Sequence, residues 1–226
     1  MSLGLIDEHP EGAIDATGLE TRHTSFYYVK RKGYRHFRRL RWPKLTVVCH
    51  TRTHLIAGVV ASRGPSNDSP QFPEAMIQAA GNVRWDRLLA DAAYDGEHNH
   101  RLCRERLGIR STVIPLNKRR TGDKCPPTKY RRQMKKHFPG RVYNHRWQAE
   151  SAISRNKRLL GSALRARSDE AQDRESFLRV LTHNLMILRL PIPRFSTEQE
   201  PIRMTGAGGC GARGPVVRIG SKGKPT

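Results

Sequence analysis

A mixed β-sheet flanked by helices, an α/β layer architecture, is the fold class this 226-residue sequence predicts. Three observations point to it. The first half is rich in short apolar and β-branched runs. The middle alternates such runs with helical stretches, and two long helical periods follow before residue 190.

The elements follow in order. Residues 13–16 (AIDA) read as the end of a short buried strand, closed by Thr17 and Gly18. Residues 25–29 are β-branched and aromatic and give a second strand. Residues 45–50 (LTVVCH) and 55–61 (LIAGVVA) are apolar runs separated by a short turn, an antiparallel hairpin. After a turn-forming stretch at 64–70, residues 72–80 fit a helix with Pro73 in its first turn. Residues 87–90 form a short strand leading into Asp91. Residues 99–107 are helical and stop at Gly108, and residues 111–115 (STVIP) are a strand. Residues 117–129 are basic, contain Gly and Pro, and read as a loop. Residues 143–160 are a helix. Ser168, Asp169 and Glu170 cap a final helix running to about residue 190, with Phe177, Leu181, Leu185 and Leu188 as its core-facing stripe. The domain reading is 1–194 for the folded unit and 195–226 for a disordered Gly- and Pro-rich tail.

Charge narrows the function. Forty-two Lys and Arg against 20 Asp and Glu give a formal net charge of +22 and a sequence pI near 10.9. That excludes an acidic binding protein and implies a polyanionic partner. No stretch approaches the roughly 20 apolar residues of a spanning helix. The first residues lack the basic segment and apolar run of a secretory signal. Cys49, Cys103, Cys125 and Cys210 form no C-x-x-C pair, so a reducing cytoplasm is expected. The charge is also uneven. Residues 21–44 hold nine Lys and Arg and no acid, and residues 101–167 hold 20 against Glu105, Asp123 and Glu150.

A basic protein that acts on phosphodiesters needs a negative centre to hold a divalent cation, so acids isolated among bases are the useful search. Asp15 lies at a buried strand end, where a carboxylate is costly unless paired or metal-bound. Its bland alternative is a turn Asp. Asp91 follows Leu88-Leu89-Ala90, and its bland alternative is a helix cap. Asp95, beside Gly96, looks like a turn residue. Glu150 is the most informative. At about 100° per residue, Tyr143, Arg146, Glu150 and Lys157 fall on one helix face. Its bland alternative is an exposed Arg–Glu pair worth about 0.3–0.5 kcal/mol. His98 and His100 near Asp91 lack a clean ligand spacing, and a hard Mg²⁺ prefers oxygen.

Tyr143, Arg146, Glu150 and Lys157 form the pattern Y-x2-R-x3-E-x6-K, which resembles the signature of bacterial DDE transposases of the insertion-sequence-four type. Ile14-Asp15-Ala16-Thr17-Gly18 resembles that family's first-aspartate motif. Ala90-Asp91-Ala92-Ala93-Tyr94-Asp95 resembles its second, with Asp91 as the ligand. The resemblance covers residues 14–190. It implies a ribonuclease H-like fold with Asp15, Asp91 and Glu150 holding two Mg²⁺ or Mn²⁺ ions. It implies cleavage at transposon ends and strand transfer into target DNA. Tyr143, Arg146 and Lys157 would then contact DNA beside the scissile bond. It also implies a bacterial cytoplasmic, nucleoid-associated protein that pairs as a homodimer on DNA.

Only 14 residues precede Asp15, so a separate end-recognising portion is expected to lie outside this sequence. Two other functions stay open from the residues. One is a non-catalytic basic nucleic-acid-binding protein, for which Glu150 is dispensable. The other is a related nuclease that stops after hydrolysis.

Overall fold

The computed structural model describes residues 6–21, Arg31, 41–117 and 125–189. Strand β1 (Glu11–Gly18) alternates its side chains between two apolar layers, and that alternation positions everything else. It pairs antiparallel with β2 (Trp42–His50), from Gly12 opposite His50 to Gly18 opposite Lys44. The expected hairpin is present: β2 pairs antiparallel with β3 (Ile56–Gly64), with a bulge at Val48/Cys49. On its other side β1 pairs parallel with β4 (Arg87–Leu89), and β4 pairs parallel with β5 (Ser111–Val113). The sheet order is therefore β3-β2-β1-β4-β5. Three antiparallel strands followed by two parallel ones, with helices on both faces, is the α/β, ribonuclease H-like arrangement expected from the sequence.

One layer holds Ile14, Val48 and Leu88 under helix α1 (Phe72–Asn82) and the chain around Tyr94 and Cys103. The opposite layer holds Ala13, Val47, Cys49 and Leu89 under α4 (Trp147–Leu160) and α5 (Asp169–Arg189). A two-residue parallel ladder, Glu20–Thr21 with Ala163–Leu164, ties the end of the β1 segment to the α4–α5 connection.

Boundaries moved in several places. Asp15 lies inside β1, which continues to Gly18, and not at a strand end. The helix expected at 99–107 is α2 (Glu97–Arg101) continuing as a wide turn, Leu102–Arg106, and Gly108 ends it with φ +69°. Helix α3 (Lys129–Lys136) was not expected; it buries Tyr130 and Met134. The single helix expected over 143–160 is split. Tight turns at Gly140–Tyr143 and Asn144–Arg146 precede α4. The strand expected at 25–29 and the tail at 195–226 lie outside the described residues.

Helix α5 brings the largest correction. Its Ser168 cap is present, with Oγ accepting from the Ala171 amide at 3.3 Å. The face against the sheet, however, is Gln172, Ser176, Val180, His183 and Ile187. Phe177, Leu181, Leu185 and Leu188 are exposed. The inner face is held by hydrogen bonds. Asn184 accepts from the Ile56 amide at 2.9 Å and donates to the Ile56 carbonyl at 2.8 Å. Asn82 donates to the Ala57 carbonyl at 2.8 Å, and Gln78 accepts from the Val59 amide at 3.1 Å. Side-chain amides thus occupy the outer edge of β3, which would otherwise offer itself to another strand.

Close approach fixes α1 on the sheet. A Cβ at Gly58 would stand 2.3 Å from the Ala75 carbonyl oxygen. Gly58→Val is expected to lower stability by at least about 1–3 kcal/mol, because the obstruction is backbone and cannot rotate away. A urea melt measures it; an unchanged midpoint would mean that α1 sits farther out.

Burial also gives a pH response. His100 is buried, its Nδ1 hydrogen-bonded to Thr112 Oγ1 at 2.7 Å and its ring 6.0 Å from Tyr130. Burial lowers its pKa to about 4, against the raising effect of Glu97 and Asp95. The unfolded chain therefore binds the proton first. His100's contribution is fully present above about pH 6.5 and is lost as pH falls toward about 4. Melting temperature is expected to fall across that window, and less steeply in His100→Gln.

Candidate active site

Parity along β1 decides where the first acid points. Ala13 belongs to the layer under α4 and Ile14 to the layer under α1, so Asp15 faces α4. Its carboxylate is 20% exposed and accepts from the Ala16 amide at 2.8 Å. The parallel register pairs Ala13 with Leu89. Carried two residues further, it sets Asp15 beside Asp91.

Asp91 leaves the end of β4 and caps the single turn Ala92–Tyr94, accepting from the Ala93 amide at 2.8 Å. The cap reading of Asp91 is thus realised, which is compatible with a second role for its other oxygen. Tyr94 is fully buried, its ring 5.6 Å from Phe72, and anchors that turn in the core.

Glu150 arrives on α4. Ala149 and Ala152 are fully buried against the sheet, so Glu150, next to Ala149, stands at the margin of that contact. Its side chain is 56% exposed. Arg146 donates to Glu150 through Nη2, and its Nη1 lies 3.9 Å from Asp15 Oδ2. The bland i,i+4 pair is therefore formed, but its cation also serves the acid on β1. The guanidinium also sits 6.0 Å from the Tyr143 ring centroid.

Electrostatics show which groups sense each other. Burial pushes the Asp15 carboxyl above its ordinary range. The Ala16 hydrogen bond and Arg146 pull it back, and the charges of Asp91 and Glu150 add to the rise. Burial likewise raises the Tyr143 phenol, which also feels Arg146, Asp91 and Glu150. Five of the six sequence-derived candidates thus share one electrostatic neighbourhood. The sixth, Lys157, lies farther along α4 and donates from Nζ to the Gly18 carbonyl at 2.9 Å. An open groove of about 430 Å³ runs between β1 and α4, lined by Asp15, Thr17, Glu150, Ser154, Lys157 and Arg158.

Among the described residues, no group of three His, Cys, Asp or Glu is drawn together tightly enough to chelate an ion. His100 is spent on Thr112. The donor set around Asp15 is nevertheless all carboxylate oxygen, the chemistry hard divalent cations prefer.

The sequence reading missed the support beneath Asp91. Asp95 is buried, and Arg131 grips it through Nε and Nη2, each at 2.8 Å. Glu97 accepts from the Tyr130 and Arg131 amides at 3.0 and 3.1 Å. The only signal for the clamp was Asp95 itself, four residues after Asp91. The sequence matches the family described as transposase DDE domain over residues 7–185.

Proposed function

Because the chain belongs to the transposase DDE domain family, whose substrate is DNA, we propose that it cleaves DNA at transposon ends and joins the freed ends to target DNA. Within the family we assign it to the insertion-sequence-four type, on Tyr143, Arg146, Glu150 and Lys157. The catalytic unit is assigned to residues 1–194. The observation that carries the reading is the placement of Arg146, which donates to Glu150 on α4 and lies 3.9 Å from Asp15 on β1, with the β1–β4 register setting Asp91 beside Asp15.

In this reading Asp15, Asp91 and Glu150 hold two Mg²⁺ or Mn²⁺ ions. Such a pair, when bound, activates the attacking hydroxyl and neutralises the leaving oxygen of an in-line displacement. The chain's own residues do the rest. Arg146 balances the carboxylates and is then available for a bidentate phosphate contact. Lys157 and Arg158 supply positive charge along the groove, beside the scissile phosphate. Tyr143, whose ring centroid lies 6.0 Å from the Arg146 guanidinium, stacks on or hydrogen-bonds to DNA there. Hydrolysis frees a 3′-hydroxyl, and its attack on target DNA exchanges one phosphodiester for another, so no external energy source is required. No helix among the described residues is long and apolar enough to cross a membrane, and the bacterial nucleoid is the proposed place of work.

The test is incubation of the purified chain with duplex carrying the element's ends, with Mg²⁺, Mn²⁺ or EDTA. Metal-dependent cleavage and joining supports the proposal. Retention of DNA with no cleaved product in any metal overturns it and leaves a basic binding protein. Cleavage without joining leaves the related nuclease. A gel-shift series on end-containing and scrambled duplexes is expected to show equal retention, carried by the chain's net charge of +22. A strong preference for the ends would place end recognition in this chain.

A further inference from the structure

Helix α4 starts without a side-chain cap of its own, and so does the turn Asn144–Arg146 before it. What fixes this start is contact with other elements. Glu11 shares the α4-facing side of β1 with Asp15, four residues or about 13 Å along the strand. Its carboxylate is 13% exposed and is itself held: Oε2 accepts from Arg87 Nη1 at 3.1 Å and Oε1 from Thr51 Oγ1 at 3.2 Å. Oε1 also meets His145 Nδ1 at 2.9 Å. Consecutive residues therefore grip β1 at two points, His145 at Glu11 and Arg146 at Asp15. Just inside α4, Gln148 Oε1 meets His54 Nε2 at 2.6 Å. His54 stands in the β2–β3 turn with φ +64°, a left-handed conformation that few non-glycine residues adopt. Its carbonyl accepts from His183 Nε2 at 3.0 Å, which ties the same turn to α5.

From this placement we propose that Glu11 and His54 are positioning residues of the site. Glu11 acts through His145 and His54 through Gln148, and together they set Arg146 and Glu150 against Asp15. This role rests on the proposed function of the site. There Arg146 leaves the carboxylates for a phosphate, so its own link to Asp15 cannot hold the start of α4 during the reaction. The Glu11–His145 and His54–Gln148 contacts use neither Arg146 nor the three acids, and they remain when it turns. Glu150 follows Gln148 by two residues, so a shift at either contact is carried to its carboxylate by the first turn of α4. A role confined to fold stability fits poorly. His145 is 59% exposed, and Glu11 joins β1 to β4 and to the end of β2 through Arg87 and Thr51 without it. At His54, glycine adopts the observed φ without strain, so nothing in the turn itself asks for an imidazole. What the imidazole adds is the bond to Gln148.

The experiment compares His145→Leu, His145→Asn and His54→Gly with the parent, all as the full chain. Asparagine keeps a donor at the place of Nδ1, leucine removes it, and glycine keeps the turn while deleting the imidazole. With end-containing duplex and Mn²⁺, His145→Leu and His54→Gly are expected to lower kcat about tenfold or more, with KM for DNA changed less than about twofold. Hydrogen exchange of residues 144–152 should quicken about tenfold in both, while that of β1 and the melting temperature stay parental. His145→Asn should restore kcat and exchange. Parental kcat in both His145→Leu and His54→Gly overturns the proposal. So does a loss that comes with a lowered melting temperature and exchange quickened throughout the chain, which is a role in the fold. His145→Asn as impaired as His145→Leu also overturns it. A parent chain that cleaves nothing counts against the proposed function alone. Exchange then decides the positioning role, and parental exchange at residues 144–152 in both variants overturns it.

Discussion

Glu150→Gln is expected to lower metal-dependent DNA cleavage by more than about a hundredfold, because loss of groups that merely orient a metal ligand already costs 10–100-fold. DNA retention and melting temperature should stay near those of the parent chain. The carboxylate is 56% exposed and its pairing with Arg146 is an i,i+4 surface contact, worth about 0.3–0.5 kcal/mol at most. Glutamine keeps the shape and a hydrogen-bond acceptor for Arg146 but removes the charge. A structural role predicts almost no change, and a ligand role predicts near-total loss of cleavage. Asp15→Asn sharpens the contrast. Its carboxyl is raised by burial and by the charges of Asp91 and Glu150, so neutralising it relieves repulsion. Asp15→Asn should be at least as stable as the parent and equally inactive. If Glu150→Gln cleaves and joins at the parental rate, the three acids are not a catalytic set and the charge-only reading stands.

How much of this was legible in the sequence depends on which force placed each residue. The hairpin β2–β3 and the strands β4 and β5 were readable, because buried strands are short apolar runs. Asp15, Asp91 and Glu150 were readable as candidates because each is an acid in an apolar or basic setting. Asp15 was misjudged as a strand end because β1 continues through Ala16, Thr17 and Gly18, which carry little apolar signal. The face of α5 was read in reverse for a physical reason. Its apolar period is real, but the helix is docked by Asn184, His183 and Arg63, whose hydrogen bonds leave no apolar trace. Helix α3 was missed because its eight residues are nearly all cationic or polar, with only Tyr130 and Met134 turned inward.

That missed helix supplies the largest expected loss of stability. Arg131→Ala should cost about 3–5 kcal/mol, the range for removing one partner of a buried ion pair. In a chain of this size that lowers the melting temperature by on the order of 10 °C. The reason is Asp95. Its side chain is fully buried, and Arg131 meets both of its oxygens, one of which also accepts from the Asn117 amide at 2.9 Å. Without the guanidinium the carboxylate keeps its burial and loses its counter-charge. Removing both charges, as Asp95→Asn with Arg131→Met, should cost less than the sum of the single changes, since the uncompensated charge goes with the pair. The effect should also reach the site. The Asp95 amide donates to the Ala92 carbonyl at 3.2 Å and closes the turn that Asp91 caps. With Asp95 unclamped, that turn loses its anchor, and cleavage should fall even at temperatures where Arg131→Ala is folded. Non-specific DNA retention, carried by the many other cations, should persist. A cost below about 1 kcal/mol would mean the pair behaves as a solvated surface bridge, and Asp91 would have to be held by its own cap and by Tyr94 alone.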